Sequence, residues 1–128
     1  MSEPVWISRA TLFALQEMLL SSFGGVPGVR DDAALQAALS RAEKRFHAGP
    51  TSLFGLAASY GLSLMKDRPF VDGNKRTGFT TAVVFIELNG YQFHATEADA
   101  ALRTLAFAAA AMDESDYAAW LEANSRKT

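Results

Sequence analysis

The chain has 128 residues, 49% of them apolar and 20% charged, with a formal net charge of −2. That length and apolar fraction suit one compact domain over 1–128, and the near-neutral charge excludes a global basic field, so direct nucleic-acid binding is not expected. The absence of cysteine excludes disulfides, thiol catalysis and cysteine-ligated zinc, and it fits a reducing cytoplasm. Met1-Ser2-Glu3-Pro4 lacks the basic-then-apolar pattern of a secretory signal, and no apolar run approaches the ~20 residues that span a bilayer. The expectation is a soluble cytoplasmic protein without membrane contact.

Apolar residues recur three and four apart, so helices are predicted throughout. Ser8 caps a first helix to about Ser22, with Leu12, Leu15 and Leu19 in one stripe, and Gly24-Gly25-Val26-Pro27-Gly28 stops it. Asp31 and Asp32 open a second helix with Leu35, Leu39 and Ala42 inward, ending before Gly49-Pro50. Thr51 or Ser52 starts a third, where Leu53, Leu56, Ala57, Tyr60 and Leu64 share a face; it breaks before Pro69, which biases its predecessor away from helix. From about Asn74 a fourth helix runs to Asn89-Gly90. Its apolar residues, including Phe79, Ala82, Val83, Phe85 and Ile86, spread beyond one stripe, so it is expected to be the buried central helix. Tyr91-Gln92-Phe93 reads as a brief extended piece. Thr96 with Asp99 caps an alanine-rich fifth helix, and a sixth from about Ser115 carries Tyr117, Trp120 and Leu121.

The chemistry concentrates in Arg68-Pro69-Phe70-Val71-Asp72-Gly73-Asn74-Lys75-Arg76, between the third and fourth helices. A helix start leaves N–H groups unpaired and partly positive, which suits phosphate oxygens. Gly73 permits close backbone approach, and Lys75 and Arg76 add a point charge and a planar fork. Asp72 is a candidate magnesium ligand, since magnesium favours carboxylate oxygen together with phosphate. A plainer reading stands beside this one: Asp-Gly-Asn is also good turn and cap chemistry, followed by a solvated first turn. Lys66, at the preceding helix end, either adds phosphate charge or complements the helix dipole.

Phe70-x-Asp72-Gly73-Asn74-Lys75-Arg76 resembles the Fic/Doc family signature, His-x-Phe-x-Asp/Asn-Ala/Gly-Asn-Lys/Gly-Arg, at every defined position except the first, where Arg68 stands. The likeness runs from about Val5 to Phe93 and includes the Gly-Gly-x-Pro-Gly turn and the Asn-Gly pair after the fourth helix. The resemblance implies an all-α, six-helix bundle built around the helix that follows the motif. It implies that Phe70 anchors the loop, Asn74 fixes it and touches phosphate, Arg76 pairs with phosphate, and Asp72 binds magnesium. Lys75 is similar to the Doc (death-on-curing) branch, whose members transfer the γ-phosphate of ATP. AMP-transferring members have glycine there and a further arginine where this chain has Phe79. The implied activity is a toxin kinase acting on a hydroxyl of translation elongation factor Tu and blocking translation. Its implied partner is a cognate antitoxin whose disordered C-terminal segment folds into a groove.

In the family the histidine at position 68 takes the proton from the attacking hydroxyl. A guanidinium offers donors only, so Arg68 implies a slow or inactive copy. An introduced or selected silencing substitution, a natural degenerate variant, and a different use of the fold all stay open at this point. A pseudoenzyme that binds nucleotide or antitoxin, and a nucleotidyl (AMP) transferase, are the alternatives. Asp67 is expected to point elsewhere, and His47 and His94 read as surface or loop residues remote from the motif. Trp6, Phe13, Phe46, Phe54, Phe107 and Trp120 read as core or half-buried, and Arg41, Lys44 and Arg45 as a solvated face.

Overall fold

Side-chain caps set where most of the helices begin. In this computed structural model, which describes residues 2–128, Ser8 accepts from the Thr11 amide at the head of α1 (Arg9–Phe23). Asp31 accepts from Ala34 before α2 (Asp32–Ala48), and Ser52 from Gly55 before α3 (Leu53–Asp67). Thr96 and Asp113 do the same for α5 (Glu97–Ala108) and α6 (Glu114–Ala123). The exception is α4 (Asn74–Leu88), whose cap position is Gly73 and receives no side-chain bond. Each such cap satisfies amides that the first turn leaves without partners.

The architecture is an all-α bundle with a two-stranded ribbon. α3 packs on α2, α4 and α6, while α1 lies on α4. α4, expected to be the buried central helix, is buried along its inner face, and the most enclosed helix is α3. Twelve of its fifteen residues are buried, against seven of fifteen in α4. The difference lies in the small residues of α3: Gly55, Ala57, Ala58, Ser59 and Gly61 let neighbours approach on several sides. At the α3–α4 crossing Gly61 and Gly78 face each other; a Cβ on Gly78 would stand 3.1 Å from the Gly61 carbonyl oxygen.

The extended piece predicted at Tyr91–Phe93 is β1. It pairs antiparallel with β2 (Ser125–Lys127), a strand with no sequence signal of its own, in the register Tyr91↔Lys127 and Phe93↔Ser125. Phe93 of β1 packs its ring with those of Phe79 on α4 and Trp120 on α6. Phe13, expected to be core or half-buried, is 36% exposed: one side of its ring meets the buried Phe70 edge-on, and Arg9 lies over the ring. Arg45 is not simply solvated: it donates to Ser59 Oγ and forms an ion pair with Glu114, tying α2 to α3 and α6. Among the described residues, no helix is long and apolar enough to cross a membrane.

Candidate active site

The motif loop leaves α3 through a left-handed turn. Arg68 has φ 48° and ψ 60°, which reverses the chain before Pro69. A non-glycine residue pays a steric penalty there, so something must hold it. Arg30 does: its Nε donates to the Arg68 carbonyl at 2.7 Å and its Nη2 to the Asp67 carbonyl at 2.5 Å. These are the open carbonyls of the α3 C-terminus, where positive charge is favoured. The backbone amides of Arg30 and Asp31 both donate to the Pro69 carbonyl, and Val71 donates to Gly28 at 3.0 Å, so residues 28–31 brace the loop along its length.

Phe70 plugs the loop into the core at 1% exposure, its ring edge-on to Phe13. Asn74 is buried, and its carboxamide closes on one residue: Oδ1 accepts from the Phe70 amide at 3.0 Å and Nδ2 donates to the Phe70 carbonyl at 2.9 Å. The loop is thereby pinned at its apolar anchor by the first residue of α4.

Asp72 stands exposed at the crest. Its Oδ1 accepts from the Gly73 amide at 2.9 Å and its Oδ2 from the Val26 amide at 3.3 Å, leaving lone pairs on both oxygens. The Gly24–Gly28 turn is shaped to this carboxylate: Gly25, at φ +125°, would carry a Cβ 3.2 Å from Asp72 Oδ2 and 2.8 Å from Leu20. Gly73, at φ 74°, then turns the chain into α4, whose uncapped first amides lie beside Asp72. Lys75 and Arg76 project from that first turn into solvent, with the Arg76 guanidinium 4.3 Å from the centre of the exposed Phe23 ring.

Arg68, Phe70, Asp72, Gly73, Asn74, Lys75 and Arg76 thus share one loop and helix start. Lys66 is on the exposed last turn of α3, with no hydrogen bond or ion pair joining it to the loop among the described residues. His47 lies beside Glu3 on α2, and His94 follows β1 with its amide on Asn124. A cavity of about 840 Å³ lies elsewhere, lined by Arg41, Arg45, Ser59 and Glu114, and the motif is open to solvent rather than enclosed in it.

Two supporting residues escaped the sequence reading. Gln16 is 4% exposed; its Nε2 donates to the Asp72 carbonyl at 3.0 Å and its Oε1 accepts from the Thr77 hydroxyl. Gln16 and Leu12, one turn apart, are the buried residues of α1, and a lone amide beside the apolar stripe of Leu12, Leu15 and Leu19 was the available signal. Arg30, just ahead of the Asp31 cap, had none.

The loop and the first turn of α4 offer a carboxylate, free helix-start amides and two exposed cationic side chains, the groups that a phosphate with a divalent ion requires. It offers no proton acceptor at position 68. An all-α bundle with such a loop between two tightly crossed helices defines a Fic/Doc-class protein. Residues 6–86 match the Fic/DOC family, and the chain belongs to it. It is 34% identical over 87 residues to "Protein kinase doc" of Escherichia phage P1, an alignment that covers 67% of this chain and 69% of that protein. It is 37% identical over 76 residues to "Toxin Doc" of Mycolicibacterium smegmatis, covering 58% of each.

Proposed function

We propose that this chain is a Doc-type toxin, neutralised by a cognate antitoxin, that binds ATP with magnesium. Its reaction is transfer of the γ-phosphoryl group to a hydroxyl of translation elongation factor Tu. The observation that carries this reading is the placement of Asp72 beside the uncapped start of α4, with Lys75 and Arg76 on the same turn. The names of the two relatives, a protein kinase and a toxin, support it.

In the reaction the acceptor oxygen bonds to the γ-phosphorus, the bond to the β,γ-bridging oxygen breaks, ADP leaves, and the hydroxyl proton must be taken up. Magnesium, when bound, neutralises charge on the phosphates, and the Asp72 carboxylate has the free lone pairs to hold it. Lys75, Arg76 and the first amides of α4 bind and orient phosphate oxygens. Phe70, Asn74, Gln16 and Arg30 keep that array fixed, so its charges need no rearrangement when the transition state forms. Phe79 supports γ- rather than α-phosphate chemistry. It packs against Phe93 and Trp120, so no cation reaches the phosphates from that position.

Arg68 favours a second reading for this copy: it keeps the phosphate-binding loop but lacks the group that accepts the proton. General-base catalysis is worth ~10²–10⁴-fold, and Arg68→His should restore a gain of that order. Magnesium-dependent transfer of labelled γ-phosphate from ATP to elongation factor Tu, for both forms, tests the reading. Label arriving from the α-phosphate, or from neither form, would overturn the kinase assignment. Calorimetric binding of ATP without turnover by either form would leave a nucleotide-binding pseudoenzyme.

A further inference from the structure

Away from the loop, three metal-ligating side chains meet on the outer face of α2. Glu43 and His47 are one turn apart, and Glu3 reaches them from the N-terminal arm. One ligand atom from each lies within 4.8 Å of the others, all three residues being exposed. Residues i and i+4 on a helix share a face, so Glu43 and His47 are fixed relative to each other. The third ligand depends on the arm, and the arm is firmly placed. Trp6 packs against Phe46 and Phe85, Val5 is bracketed through its N–H and C=O by the Asn89 carboxamide, and the Ile7 amide donates to the buried Tyr60 hydroxyl. The Trp6 indole N–H also donates to Glu3 Oε2 at 3.1 Å, which leaves Oε1 turned toward His47 Nε2 at 3.8 Å.

We infer that Glu3, Glu43 and His47 form a binding site for zinc. One imidazole with two carboxylates is a mixed nitrogen and oxygen set suited to that ion, and a fourth position is left for water. Ligands on ~2.0 Å bonds to a tetrahedral ion stand ~3.3 Å apart, so the Glu3–His47 pair at 3.8 Å must close by about 0.5 Å, and no pair in the set, all within 4.8 Å, by more than about 1.5 Å, a range that rotation of exposed side chains covers. The indole contact is the kind of outer hydrogen bond that orients a ligating carboxylate. Zinc here joins the N-terminal arm to α2 and stabilises the packing of Trp6 on Phe46.

The test is zinc titration of the tag-free full chain against a chromophoric chelator, with thermal unfolding followed at the same zinc concentrations. One ion per chain is expected. His47→Ala and Glu3→Gln should each weaken binding at least tenfold, whereas His94→Ala and Asp72→Ala should leave it unchanged. Saturating zinc should raise the unfolding midpoint of the unaltered chain and not that of His47→Ala, whose metal-free midpoint checks that it is folded. Absence of binding, binding equal in both ligand variants, or loss of binding in Asp72→Ala would overturn the assignment.

Discussion

Asn74 and Phe70 are joined twice, the carboxamide of one accepting from the amide and donating to the carbonyl of the other. A buried residue of the family motif is therefore spent on the loop's own backbone. Asn74→Ala leaves both groups of Phe70 without that partner, and an unmet buried donor or acceptor costs about 1–3 kcal/mol. Urea unfolding should show a loss of that size, with affinity for magnesium-ATP falling further than the stability loss explains. Unchanged affinity in a folded variant would remove the link between loop fixation and phosphate binding.

Gln16 extends the same logic across the fold by joining the Asp72 carbonyl to the Thr77 hydroxyl. Gln16→Leu strands a fully buried hydroxyl at about 1–3 kcal/mol, whereas replacing both partners by apolar groups can be nearly neutral. Thr77→Val should therefore recover part of the loss in a Gln16→Leu background. Contacting pairs show couplings of about 0.5–3 kcal/mol, so a double-mutant cycle in urea resolves it. Additive losses would mean that the two side chains stabilise the loop independently.

The parts of this fold that are local chemistry were legible in the sequence. Ser8 and Thr96 cap the helices they were predicted to cap, and of the pairs Asp31/Asp32 and Thr51/Ser52 it is Asp31 and Ser52 that cap theirs, because a side-chain oxygen three residues ahead of an amide needs no tertiary context. The motif loop was legible because its seven defined positions, six of them matched, fall within nine consecutive residues. What depended on distant packing was not. β2 is Ser-Arg-Lys, without alternation or β-branched residues, and exists because β1 lies beside it. The primacy of α3 over α4 rests on glycine and alanine, which carry little hydrophobic signal but admit neighbours. Arg30 reaches the carbonyls of Asp67 and Arg68 from 37 and 38 residues away.

The α3–α4 crossing gives a contrast between two glycines. A Cβ at Gly78 would meet Met65 Cγ at 2.8 Å and the Gly61 carbonyl oxygen at 3.1 Å, and Met65 is itself 4% exposed with little room to move. Overpacking of this kind costs about 1–3 kcal/mol. At Gly61 the added Cβ would find neighbours at 3.6 Å and beyond, which is ordinary contact. There the helix propensity of alanine, up to ~1 kcal/mol over glycine, should dominate. Gly78→Ala is expected to destabilise in urea and Gly61→Ala to be neutral or stabilising; the reverse order would mean that the crossing is looser than these distances.

Acid sensitivity should trace in part to Asp99. The Trp120 indole N–H donates to its Oδ2 at 2.7 Å and holds the carboxyl below its ordinary range, with Arg103 adding to the effect and desolvation opposing it. A depressed folded value means that the unfolded chain takes up the proton first. The stabilisation is therefore complete above the unfolded value of ~3.9 and is lost as pH falls through the lower folded one. Asp99→Asn keeps an acceptor for the indole but cannot titrate. The gap in urea midpoint between the two forms should be widest near pH 7, begin to close below about pH 5, and be smallest near pH 3. A gap that does not change over that range would show that the indole contact acts through its geometry alone, without favouring the carboxylate.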